Sequence, residues 1–211
     1  MRAGHSGGAR AELVAVCRHL AAVGLSPGSS GNASVRLGDS VLVTPTGSSF
    51  SRLTPESLAL VELSSGRSTS GPAPTKELPL HLAVYGARRD VGAVIHLHSP
   101  YATAVACLPP DADGHAALPP LTPYRVMRLG PVPVAPYAAP GSDELAAGVA
   151  ALVAVDVLLL ANHGSLVAAR TLTAAGDLAE ELETAAQVSL LVQDRNPQPL
   201  PADAVAALRQ S

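Results

Sequence analysis

Apolar and polar positions recur along this chain with two different periods, and the switches between them mark most of its elements. From Arg10 to Val23, Leu13, Val16, Cys17 and Leu20 recur at helical spacing, and Gly24 follows as a C-cap. ASVRL and SVLVT flank Gly38-Asp39, a two-residue hairpin signal. Thr54-Pro55-Glu56 starts a helix, with Thr54 as N-cap and Pro55 in the first helical position. ALVEL is then a short strand, and SSGRSTSG turns away from it. The next helix starts at or beside Glu77, because Pro79 fits only in a first turn. A strand ends in His96-Leu97-His98 and Pro100 closes it; Tyr101 to Leu108 reads as a helix and PVPVAPY as a short strand. Ser142-Asp143-Glu144 caps a helix running to about Val153. VLLLAN is a continuous apolar strand, buried on both faces, and LVAAR is another strand. Thr173 caps the longest helix, about Ala174 to Gln193. Short, numerous strands with interspersed helices give a single α/β domain around a central sheet, partly antiparallel because its hairpins require it. The domain is expected over residues 10–195, after a disordered segment 1–9 and before a tail, 196–211, with a short helix.

Composition narrows this picture. At 211 residues the chain supports one well-buried domain or at most two small ones. It is 47% hydrophobic but only 2% aromatic, so its core is built from Ala, Val and Leu. A net charge of -3 with no basic run argues against a nucleic-acid partner. Cys17 and Cys107 make no disulfide framework and read as small buried residues in a reducing compartment. The run VAALVAVDVLLLA is broken by Asp156 before it reaches membrane length, and MRAGHSGGA lacks the apolar core of a signal peptide. A cytoplasmic protein with no membrane partner is the expectation.

The candidate chemistry centres on Pro74 to Pro100. His96 and His98 point to one face of their strand and can bind one ion together, while Ile95 and Leu97 face a core. His163, at the end of the apolar strand, is the best third ligand, and Glu77 offers a carboxylate. One Glu with three His is a divalent transition-metal set, with zinc the default. Other readings stand beside it: two strand histidines serving hydrogen bonds alone, and Glu77 as a capping charge at a helix N-terminus. His81, four residues after Glu77, reads as a partner behind the ligands or a structural residue. Ser26 to Asn32 and Thr44 to Phe50 are small-residue loops, either anion-binding nests or ordinary loops. Tyr124, Arg125 and Arg128 lie in a Pro-punctuated apolar segment that is either an interface or a surface loop.

Taken in order, Gly31-Asn32, Thr44-Pro45-Thr46-Gly47, Lys76-Glu77, His96-Leu97-His98, Leu121 to Tyr124, Pro136 to Gly141 and Asn162-His163-Gly164 resemble the class II aldolase/adducin family over roughly residues 10–195. Within it, PTKELPLHLAVY, VIHLHSPYATAVACL and LPPLTPYRVMRLG are most similar to the 3-oxo-tetronate 4-phosphate decarboxylase branch. The epimerase branch usually carries Asp where Glu77 stands. The resemblance implies a three-layer αβα fold with a mostly antiparallel or mixed sheet, and a cyclic homotetramer with active sites between subunits. It implies Zn2+, or a similar ion such as Mn2+ or Co2+, held by Glu77, His96, His98 and His163. It implies phosphate binding by Ser29, Ser30, Gly31, Asn32, Thr46, Gly47, Thr75 and Lys76; some aldolases carry two serines at the Thr75-Lys76 positions. Glu77 and Tyr124 are the implied catalytic groups, with Arg128 on a substrate carboxylate. The implied activity is decarboxylation of 3-oxo-tetronate 4-phosphate to dihydroxyacetone phosphate and CO2. A fuculose-phosphate-type aldolase and a non-catalytic adducin-like module are the alternatives.

Overall fold

A computed structural model describes residues 2–210, with side chains from residue 7. Eight strands form one sheet: β1 (Asn32–Leu37), β2 (Ser40–Val43), β3 (Ala59–Glu62), β4 (Ser68–Ser70), β5 (Ala93–Leu97), β6 (Val134–Ala135), β7 (Val157–Leu160) and β8 (Gly164–Ala169). Their order is β4-β3-β2-β1-β5-β8-β7-β6. Every pairing is antiparallel except that of β6 with β7. The Gly38-Asp39 hairpin joins β1 to β2 as expected, with Gly38 at φ 61°.

Alternation along the strands builds two cores. On one face Ala33, Leu42, Ala93, Ile95, Leu97, Leu159 and Val167 pack with α1 (Arg2–Ala22), α3 (Pro100–Ala106) and α5 (Leu172–Val192). On the other face Val41, Val43, Val61, Val94, Leu158 and Leu166 pack with α2 (Leu78–Ala87) and α4 (Asp143–Ala150). The result is the three-layer αβα sandwich. A further helix, α6 (Ala202–Leu208), occupies the tail. No helix among the described residues is long and apolar enough to cross a membrane.

Several expectations need correction. Helix α1 starts at Arg2, within the segment expected to be disordered; Met1 lies outside the described residues. The cap of α5 is Thr171, whose hydroxyl accepts from the Ala174 N–H at 3.2 Å, and not Thr173. Thr54-Pro55-Glu56 starts only a single 3-10 turn, Pro55–Ser57. SSGRSTSG holds the exposed edge strand β4. LPPLTPYRVMRLG holds a π-helical turn, Arg125–Leu129. Cys17 is buried as expected, but Cys107 is exposed, just past the end of α3.

Candidate metal centre

Three neighbouring central strands bring their ends together on one side of the sheet. Asn32 of β1 pairs with His96 of β5, and Leu97 of β5 pairs with Ser165 of β8. His98 follows β5 directly, and His163 directly precedes β8. A Cβ at Gly164 would collide with the Leu97 carbonyl oxygen, so the glycine after His163 is what lets the two strand ends meet. Glu77 arrives from the other side as the N-cap residue of α2, with Pro79 in that helix's first turn.

The four side chains converge: one ligand atom from each of Glu77, His96, His98 and His163 lies within 4.8 Å of all the others. Glu77 Oε2 is 3.3 Å from His96 Nε2, Glu77 Oε1 is 3.3 Å from His163 Nε2, and the Nε2 atoms of His96 and His98 are 2.9 Å apart. Ligands about 2.1 Å from a tetrahedral ion stand roughly 3.4 Å from one another, so these spacings match a four-ligand site. His96 Nδ1 donates to the Ser165 carbonyl at 2.8 Å, which leaves the Nε2 lone pair facing the cluster. Glu77 Oε1 and both nitrogens of His163 are buried without a hydrogen-bond partner. Orphaned polar atoms of this kind are rare in folded proteins, and a divalent cation would satisfy Glu77 Oε1 and one ring nitrogen of His163.

The protonation states agree. Burial raises the Glu77 carboxyl, but His163, His96 and the Asn32 amide together hold it far below the usual carboxylate range. Burial first, and then the neighbouring His96 and His163, push His98 down to about 4. An ionised carboxylate at Glu77 and a neutral imidazole at His98 are the forms that ligate a metal.

Glu77 and His98 also line a cavity of about 230 Å³. Ser29, Ser30, Gly31, Asn32, Thr46, Gly47, Thr75 and Lys76 line the same cavity. Its walls are tied together by backbone: Thr75 N–H donates to Thr44 O and Thr46 N–H to Ala73 O, so the loop after β2 is zipped to the segment that leads into Glu77. Gly141, at φ 77°, backs the Lys76 carbonyl so closely that an added Cβ would stand 2.9 Å from it.

Other residues fall elsewhere. Tyr124 precedes the π-helical turn and is 64% exposed, outside the cavity wall. Arg128 lines a different cavity with Arg88, Asp156 and Arg170, so the chain's own Arg128 does not reach this site. Ser48 and Pro140 line the site without having been singled out; both lie inside or next to motifs that had been. Asn32 differs most from expectation. Its side chain turns away from the loop and donates through Nδ2 to Glu77 Oε2 at 2.8 Å.

The profile of the Class II Aldolase and Adducin N-terminal domain family matches residues 11–190. The 3-oxo-tetronate 4-phosphate decarboxylase of Pectobacterium atrosepticum is 43% identical over 202 residues, 95% of this chain and 92% of that one. The L-fuculose phosphate aldolase of Escherichia coli K12 is 34% identical over 182 residues, 85% and 81% of the two chains. The crystal structure of YgbL from Klebsiella pneumoniae superposes with a TM-score of 0.91 at 40% identity, covering 97% of this chain and 99% of the other. A match over nearly the whole chain, joined to identity at this level, places the protein: it belongs to the class II aldolase and adducin N-terminal domain family.

Proposed function

We propose that the chain is a metal-dependent carbon–carbon lyase that converts 3-oxo-tetronate 4-phosphate into dihydroxyacetone phosphate and CO2. The observation that carries this is the three-His, one-Glu cluster opening, through Glu77 and His98, onto the cavity walled by small-residue loops. The 43% identity to a decarboxylase of that name supports the choice of substrate. Zn2+ suits the donor set, and Mn2+ or Co2+ accept the same ligands. When bound, the ion supplies Lewis-acid stabilisation of the negative charge that develops on the substrate oxygens.

The loops Ser29 to Asn32, Thr46-Gly47 and Thr75-Lys76 hold the phosphate, and its binding energy fixes the reacting carbons. Breaking the C1–C2 bond releases CO2 and leaves the electron pair on C2, delocalised onto the C3 ketone as an enediolate. A proton added at C2 completes the product. Glu77, with its unpartnered Oε1, is the acid–base group. Tyr124 is the proton donor to C2, reaching from a neighbouring subunit; its exposure and that of Met127 beside it, 64% and 47%, support a homotetramer with shared sites. Lys76 is the cationic side chain among the described residues lining the cavity, and its charge offsets that of the phosphate. The buried free thiol of Cys17 suits a reducing, cytoplasmic setting.

The test is to incubate the metal-loaded protein with 3-oxo-tetronate 4-phosphate and follow CO2 and dihydroxyacetone phosphate. Equimolar release of both is expected. Cleavage of a sugar phosphate to dihydroxyacetone phosphate and an aldehyde, with no CO2 from the keto acid, makes the protein an aldolase instead. Binding without turnover of either substrate leaves only the adducin-like module, a role for which four ligands in register are not required.

A further inference from the structure

A chain of buried hydrogen bonds runs from the interior to Glu77, beneath α2. Tyr85 Oη is 2.9 Å from Ser34 Oγ, and Ser34 Oγ is 2.7 Å from His81 Nδ1. His81 Nε2 is 2.6 Å from Asn32 Oδ1, and Asn32 Nδ2 is 2.8 Å from Glu77 Oε2. His81 and Ser34 are fully buried, and Tyr85 and Asn32 nearly so. Asn32 and Ser34 lie two apart on β1, and His81 and Tyr85 lie four apart on α2, so each pair shares a face.

The acceptor-only carboxylate fixes the direction of every bond. Glu77 Oε2 requires the NH2 end of Asn32, so Asn32 Oδ1 faces His81 and can only accept. His81 Nε2 therefore carries the hydrogen. Burial pushes the imidazole down to about 3, so the ring is neutral and Nδ1 accepts from the Ser34 hydroxyl. Ser34 Oγ in turn accepts from Tyr85. A flipped Asn32 would set two acceptors together at Glu77 and two donors together at His81.

We propose that His81 is a positioning residue for Glu77: its Nε2–H locks the Asn32 amide in one orientation, which occupies Oε2 and leaves Oε1 free for the ion and the proton. The inference rests on Glu77 being a metal ligand, and extends that reading to a residue that touches neither ion nor cavity.

The experiment compares His81→Leu and His81→Gln with the wild type. Zn2+ affinity is measured by competition with a chromophoric chelator on the full-length metal-free protein, beside Tm and, at saturating Zn2+, kcat and KM. His81→Leu should weaken Zn2+ binding about 10- to 100-fold, the usual range for groups that orient metal ligands. It should lower kcat while KM stays near the wild-type value, because the loops are untouched. His81→Gln, which restores an N–H near the Nε2 position, should recover part of the affinity. Wild-type Zn2+ affinity and kcat in a folded His81→Leu, with only Tm lowered, overturns the proposal. If His81→Leu does not fold, Asn32→Ala decides: it removes the amide through which His81 acts on Glu77, so a weaker Zn2+ affinity supports the proposal and an unchanged one overturns it. The affinity arm needs no substrate. A wild type that releases no CO2, beside a His81→Leu that loses Zn2+, removes the assigned reaction and leaves the positioning role standing.

Discussion

The two faces of β1 and β5 are built from alternate residues of the same two strands and obey opposite rules. On one face Ala33, Ala93, Ile95 and Leu97 are fully buried in an apolar core with α1, α3 and α5. On the other, Asn32, Ser34 and His96 are just as inaccessible, at 4%, 0% and 0% exposure, yet these three are polar, while Val94 beside them belongs to the apolar packing under α2. The first face gains by removing hydrocarbon from water. The second loses that gain and is tolerable because its polar atoms find partners in α2, in β8 or in Glu77. The lesson is that period-2 patterning reports which residues share a face but not what that face does. Polar residues on a buried face mark where stability has been given up for chemistry.

If the comparison is right, substitutions on the polar face change turnover and those on the apolar face change stability. Glu77→Gln should have the largest effect, a loss of about 10³-fold in kcat, within the range for removing a general acid–base group. The amide still offers an oxygen to the cluster, so appreciable metal should remain, as measured by elemental analysis after desalting. Undiminished turnover would sink the catalytic role of Glu77. Ile95→Ala, one residue from His96 and wholly buried, should cost about 3 kcal/mol in denaturant unfolding. Measured with chelator present, that loss should persist, and kcat per folded molecule should stay near wild type. A large fall in kcat without loss of stability would mean the two faces are not separable. Tyr124→Phe tests a position on neither face. It should lower kcat about 10²-fold with metal content and stability unchanged, and wild-type turnover removes Tyr124 from the proton path.

The four side chains that converge were legible in the sequence because local rules place them. His96-x-His98 carries its own geometry, Pro79 pins Glu77 to a helix start, and His163 ends an apolar strand. The loops holding Ser29 to Asn32 and Thr46-Gly47 were legible as runs of small residues, Thr75 and Lys76 only through the family resemblance, and all eight residues line the cavity. What was hidden depends on distant contacts. Asn32 looked like a loop residue; only its pairing with His96 and the packing of α2 turn its amide toward Glu77. Thr171 and Thr173 flank Leu172 symmetrically, and the burial of Leu172 at 1% exposure goes with the cap at Thr171. Strand β4 is polar and exposed at every position, so no alternation announced it. The segment 2–9 has neither cap nor apolar spacing, and its helical state continues from the stretch that follows.

The smallest expected effect is at Tyr85, where the two faces can be compared most finely. Its ring is part of the apolar packing of α2, with the Arg36 guanidinium 4.8 Å from the ring centroid, while its hydroxyl is the far end of the polar chain. Tyr85→Phe keeps the first role and deletes the second. Removing one neutral buried hydrogen bond costs about 1 kcal/mol. Ser34 loses a donor but keeps its own bond to His81, so the direction of the remaining links is unchanged. Unfolding should therefore show a loss of that size, while Zn2+ affinity stays within about twofold of wild type, roughly 0.4 kcal/mol. A fall in affinity as large as that of His81→Leu would mean that the hydrogen-bond chain acts on Glu77 as a single unit, and that the boundary between structural and functional polar groups lies beyond Tyr85.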